Sequence, residues 1–168
     1  MPNAFGTTKY SFNRPALHAA YSNNDLVANT ATAEDVVPLK FSTSRFSGKG
    51  KILAATMFKN AANATNASFL LYLFKQDPEV AVGDADAFAL PSARQLIGTI
   101  AMDMTTGGTA GTADLKKRFA LTVPIYFDLE HVGPHDRTIY GLLQVLAAYD
   151  PIADELIEIE LECEGWSR

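Results

Sequence analysis

Short apolar runs separated by Gly, Pro, Asn and Asp recur from Val36 to the end of this 168-residue chain. The last is the least ambiguous. Ile157, Ile159, Leu161 and Cys163 alternate with Glu158, Glu160, Glu162 and Glu164, the period-two pattern of a strand with one buried and one wet face. Leu96 to Met104 alternates in the same way, with Leu96, Gly98, Ile100, Met102 and Met104 on one face and Ile97, Thr99, Ala101 and Asp103 on the other. Gly50 to Asn60, Phe119 to Leu129 and Thr138 to Tyr149 predict three more strands. Val36 to Phe46 predicts one or two short ones, broken near Pro38 because proline removes a ladder donor. Ser68 to Lys75 is different: it is apolar on both faces, and such a strand belongs in the middle of a sandwich or beneath a partner subunit. Helix is expected only as a turn or two, in Ala85 to Gln95 or Thr112 to Arg118.

Roughly six to eight strands without a sustained helical pattern imply an all-β fold, an antiparallel sandwich or barrel. A jelly-roll-like sandwich is preferred, because it manages its edges while accepting long, unequal loops. The sandwich domain is placed at 36–168. Residues 1–35 are rich in Asn, Ala, Ser and Thr, carry isolated aromatics at Phe5, Tyr10, Phe12 and Tyr21, and show no sustained period. They read as an extended N-terminal arm whose aromatics anchor on a neighbouring subunit; a disordered leader or a strap over the chain's own core are the alternatives.

Composition narrows the function classes. Hydrophobic content of 48% with 20% charged residues is that of one globular domain, and no apolar run is long enough to cross a bilayer as a helix, so no membrane partner is expected. A net charge of −5 argues against nucleic acid as a partner, and the cluster Lys116-Lys117-Arg118 is too short to change that. The first residues lack the basic-then-apolar order of a secretory signal, so synthesis and use in a cytoplasm are expected. The lone Cys163 stands at an apolar position and reads as packing.

Five features of the sequence invite a chemical reading. Gly83-Asp84-Ala85-Asp86 offers two carboxylates but not the full calcium-loop pattern, and reads as a solvated turn. Asp128 to Asp136 gathers His131, His135 and three carboxylates, yet Gly133-Pro134 breaks any helix that would align the histidines, and no third ligand is fixed by spacing. Thr105 to Thr112 is glycine-rich but lacks the Gly-Lys-Ser/Thr ending of a phosphate loop. The glutamates 158–164 read as a solvated face that discourages edge pairing, not as a glycosidase acid pair. Asn63-Ala-Thr65 and Asn66-Ala-Ser68 match the glycosylation sequon and are discounted without an export signal. No catalytic residue, metal or cofactor is assigned.

From about Phe46 to Leu161 the order of features resembles the capsid decoration, or cement, proteins of tailed bacteriophages. The matching residues are Gly48-Lys-Gly-Lys-Ile52, Asn66-Ala-Ser-Phe69 leading into Leu71-Tyr-Leu-Phe74, Val80-Ala-Val-Gly-Asp84 with Ala87-Phe88, Leu96-Ile-Gly-Thr-Ile100, and Ile139-Tyr-Gly-Leu-Leu143 with Ala147-Ala-Tyr149. The resemblance implies a β-rich, jelly-roll-like homotrimer on the outer face of an icosahedral shell, located in the virion, without enzymatic activity or cofactor. Its partners would be the major capsid protein and copies of itself. Phe69, Leu71 and Leu73 would join the copies, while Phe5, Tyr10, Phe12 and Tyr21 of the arm would reach across the shell. Residues 1–35 match nothing in that family. A carbohydrate- or receptor-binding sandwich of a phage fibre or tail, using Trp166 or loop tyrosines, is the alternative. A small hydrolase on the same scaffold would need His131 and His135 to converge with other acids in a pocket.

Overall fold

A computed structural model describes residues 3–16, 20–44, 46, 48–61, 67–106, 109–110, 114–129 and 137–166. The ten strands among them are β1 (Asn3–Asn13), β2 (Leu26–Val27), β3 (Leu39–Ser42), β4 (Lys49–Lys59), β5 (Ser68–Phe74), β6 (Leu96–Asp103), β7 (Thr109–Ala110), β8 (Leu115–Asp128), β9 (Thr138–Val145) and β10 (Leu156–Trp166). They form two wholly antiparallel sheets. One has the order β1-β10-β4-β8-β7; the other has β2-β9-β5-β6, with β3 beside β2 on the same edge of β9. The all-β antiparallel sandwich expected from the sequence is therefore the fold. Only β5 and β6 are consecutive long strands paired in one sheet; most other connections cross between sheets. The sheets close on each other where β1 lies against β3 and β6 against β8. A single 3-10 turn, Ala93–Gln95, falls within the first stretch where helix was expected; in the second, residues 115–118 open β8 instead.

The main core fills the space between the sheets. Ile157, Ile159, Leu161 and Cys163 of β10 face Phe69, Leu71 and Leu73 of β5 and Ile139, Leu143 and Val145 of β9. Each such side chain, fully buried, contributes about 1.5–3 kcal/mol. The predicted alternation of β6 holds over 99–103, with Ile100 and Met102, and Met104 just after the strand, inside and Thr99, Ala101 and Asp103 outside. At its start it is corrected, because a register shift opposite Leu73 and Phe74 puts Ile97 against the main core and Leu96 against a second cluster on the outer face.

Two further expectations need correction. Residues 3–13 are not a free arm: β1 pairs along its whole length with β10, from Asn3 opposite Trp166 to Asn13 opposite Leu156. Its inward positions are Ala4, Gly6, Thr8, Tyr10 and Phe12; small residues occupy the first three, so the period-two apolar signal is diluted. The doubly apolar β5 is not covered by a partner but by its own chain. Its outward residues Tyr72 and Phe74 join Tyr140 and Leu142 of β9 in a second cluster, roofed by Leu26, Ala28, Val36, Val80, Val82 and Phe88. The roof is held by backbone bonds between 24–30 and 83–88, including Leu26 N–H to Asp86 C=O at 2.8 Å and Asp84 N–H to Thr30 C=O at 2.8 Å. Gly83 permits this approach, since a Cβ there would stand 2.1 Å from the Ala31 carbonyl oxygen.

A bulge in β4 decides what enters one end of the core. Ile52 pairs with Cys163 and Ala54 with Glu162, leaving Leu53 as the extra residue. Inward positions are even-numbered before it (Gly50, Ile52) and odd-numbered after it (Ala55, Met57, Lys59). By taking up Leu53 as an extra residue, the bulge keeps Ala55, Met57 and Lys59 in the same inward phase as Ile52.

Candidate functional site

Two buried ion pairs meet at the end of the sandwich where β1 and β4 finish and β10 begins. Arg14, just after β1, places its Nη2 3.1 Å from Asp84 Oδ2, with both side chains essentially inaccessible. Arg14 Nε donates to the Tyr21 hydroxyl at 2.9 Å, and that hydroxyl donates to Asp84 Oδ1 at 2.6 Å. The Ala28 N–H adds a third bond to Asp84, at 2.8 Å. Lys59, kept in the inward phase by the bulge, sits 3.0 Å from Glu155 Oε1, both side chains fully buried. The Tyr149 hydroxyl lies 2.7 Å from Lys59 Nζ and 2.7 and 2.9 Å from the two Glu155 oxygens.

The tyrosines join the pairs. Their rings stack at 6.2 Å between centroids and 8° between planes, and their backbones exchange hydrogen bonds of 2.8 and 3.2 Å. Burial is the largest influence raising both phenol pKa values far above the ordinary range, reinforced by Asp84 for Tyr21 and by Glu155 for Tyr149. Both therefore remain protonated donors. Burial pushes the Lys59 pKa down, against the opposing pull of Glu155. The turn at 83–86, read as solvated, is thus corrected: Asp84 is the anion of a buried pair, hidden from sequence reasoning because Arg14 and Tyr21 lie some 60–70 positions away.

The outer face of the β1-β10-β4-β8 sheet is the other distinctive surface. Three of its glutamates are ion-paired and half-buried, not simply solvated: Glu158 with Lys9 at 3.0 Å, Glu164 with Lys51 at 2.9 Å, and Glu162 with Arg118 through two bonds of 2.5 and 2.6 Å. The Arg118 bonds hold the Glu162 carboxyl below its usual pKa. Phe5, Glu164, Lys51 and Tyr126 are successive register partners across all four strands, so they form one outward row. Phe5 and Tyr126 end the row at 71% and 69% exposure, with Val123 nearby on β8 at 75%. Three strand spacings separate the aromatics by about 14 Å. Beside Phe5 lies an open hollow of ≈ 310 Å³ lined by Thr7, Leu53 and Glu162. A larger open cleft of ≈ 660 Å³ lies on the other side of the molecule, between the Glu34–Lys40 and Asp77–Ala81 segments.

Of the residues assigned to an interface, only Phe5 is exposed. Tyr10 is half-buried against the core; Phe12 and Tyr21 belong to it. Phe69, Leu71 and Leu73 are fully enclosed by their own chain, so the expectation that they join subunits is corrected: their side chains face the opposite sheet. Tyr126 and Val123 were missed, because β8 carries four residues, Leu121–Pro124, opposite the single bulged Leu53, and the alternation breaks there. Cys163 is buried, and burial alone pushes its thiol up to about 12. His131, His135, the sequon positions Asn63 and Asn66, and Gly107, Gly108 and Gly111 of the glycine-rich loop lie outside the described residues. Trp166 ends β10 opposite Asn3. Among the described residues no group of three His, Cys, Asp or Glu is placed to hold a metal, and no helix is long and apolar enough to cross a membrane.

No family model matches this chain, and none of the curated proteins matches it in sequence.

Proposed function

We propose that the protein is a non-enzymatic structural component of a virion, and within that class a capsid decoration protein of a tailed bacteriophage that stabilises the mature shell by clamping major capsid subunits. The observation that carries this reading is the outward row Phe5, Glu164, Lys51, Tyr126. Two exposed aromatics flank an ion pair that is already formed, so a partner can cover the row while burying few unpaired charges. The ionic groups of the interior, by contrast, are enclosed in pairs. The strand order supports the jelly-roll arrangement: with β2 and β3 counted as one strand and the two-residue edge strand β7 set aside, the sheets read 1-8-3-6 and 2-7-4-5, a chain that winds between two layers of four strands each. Many copies, each gripping weakly, would add stability to the shell by mass action and avidity. The homotrimer implied by the resemblance belongs to the same proposal, with its contacts on surfaces other than Phe69, Leu71 and Leu73.

Co-sedimentation with mature and immature capsids tests the proposal. Saturable binding to mature shells supports it; binding to neither overturns it and favours the fibre or tail module. Truncation of residues 1–35 is unsuitable, because it removes β1 and the Arg14 and Tyr21 side chains from the core. Point substitutions at Phe5 and Tyr126 replace it.

A further inference from the structure

The two buried pairs differ in one chemical respect. A guanidinium does not give up its proton in a protein, whereas a desolvated lysine does, and its amine is then a nucleophile. Lys59 Nζ lies 3.0 Å from Glu155 Oε1, both side chains are inaccessible, and one hydroxyl, that of Tyr149, touches the amine and both carboxylate oxygens. Tyr149 is itself fixed by its stack on Tyr21, by an edge contact with Phe69 at 5.5 Å, and by the backbone exchange with Tyr21. Stability alone does not require this arrangement, since well-packed apolar residues commonly replace a buried ion pair without loss.

We propose that Lys59, Glu155 and Tyr149 form a self-modification site at which Lys59 and Glu155 condense into an intramolecular isopeptide bond. A proton first passes from Lys59 Nζ to the Glu155 carboxylate, which turns the ion pair into a neutral amine and a neutral acid with no change in total charge. The amine lone pair attacks Glu155 Cδ, forming the N–C bond. The oxygen that gains negative charge accepts a hydrogen bond from the Tyr149 hydroxyl, which already lies within reach of both carboxylate oxygens. The nitrogen then yields its surplus proton to the hydroxyl on Cδ, the C–O bond breaks, and one water leaves. Nothing is oxidised or reduced, and no co-reactant is needed. Two buried charges disappear, and enclosure of the site keeps out the water that would reverse the step. The bond would join the end of β4 to the start of β10, 96 positions apart, and so constrain the unfolded chain over that span.

Mass measurement of the purified, denatured full chain with peptide mapping tests this. The expected result is loss of one water, mapped to a branched peptide that joins the Lys59 and Glu155 segments. Lys59→Arg should abolish the loss. Glu155→Gln should release ammonia in place of water, because the leaving group changes. Tyr149→Phe, which keeps the stacked ring, should fold and yet leave the chain unlinked. A wild-type chain of full mass, or a water loss that maps elsewhere, overturns the proposal. A Tyr149→Phe chain linked as completely as wild type removes the hydroxyl from the mechanism.

Discussion

At the scale of single residues, the interior is unusual in what it encloses. Removing one partner of a buried pair strands the other charge without water, so Asp84→Ala should cost about 3–5 kcal/mol in urea unfolding. The double replacement Arg14→Met with Asp84→Leu should recover much of that loss, because no uncompensated charge remains. Full additivity of the two single losses would contradict the coupling the geometry describes. Cys163 gives a second readout. With its thiol raised to about 12 and its side chain buried, it should react with a thiol reagent at pH 8 only on unfolding. Rapid labelling of the native protein would show that the core opens there. On the outer face the Glu162 pKa is depressed, so the Arg118–Glu162 pair contributes fully above the ordinary glutamate value and fades as pH falls through the lowered one. The stability difference between wild type and Arg118→Ala should therefore be present at pH 7 and shrink in acid.

At the scale of elements, phase governs. The Leu53 bulge takes up one extra residue of β4, so deleting Leu53 closes the bulge and leaves Ala55, Met57 and Lys59 inward, whereas deleting Thr56, outside the bulge, would send Met57 and Lys59 to the outer face while drawing Phe58 inside. The Thr56 deletion should abolish cooperative unfolding in a denaturant titration, whereas the Leu53 deletion, which keeps the inward set, should not. Gly83→Ala should lose about 1–3 kcal/mol, because the new Cβ meets the Ala31 carbonyl and the roof over the second sheet must shift. The stretches with regular alternation were legible in the sequence: 157–164 of β10 and 99–103 of β6 could be assigned residue by residue, whereas the register shift at the start of β6 puts Leu96 and Ile97 on the opposite faces from those the alternation assigned. β1 was not, because its inward Ala4, Gly6 and Thr8 are small and its outward Phe5 is large. The roofing loops were equally opaque. Val80, Val82 and Phe88 are apolar but follow no strand period, and their packing on Tyr72 and Tyr140 depends on a fold that brings distant segments together.

At the scale of the whole molecule, the chain is an antiparallel sandwich whose doubly apolar strand is covered by its own loops. An all-β architecture was legible because turn residues punctuate the chain at short intervals. The candidate surface was only partly legible: Phe5 stood out as an aromatic, but its place in a four-strand row with Tyr126 comes from the register of three separate pairings. Phe5 and Tyr126 are mostly exposed, so replacing them with aspartate should leave the thermal midpoint nearly unchanged. Any loss of binding would then belong to the surface and not to the fold. The most direct test is the binding of wild-type protein and of the Phe5→Asp/Tyr126→Asp variant to mature capsids, read by co-sedimentation. The account predicts saturable binding of the wild type and loss of binding in a variant that unfolds at the same temperature; equal binding by both proteins, or none by the wild type, would contradict it.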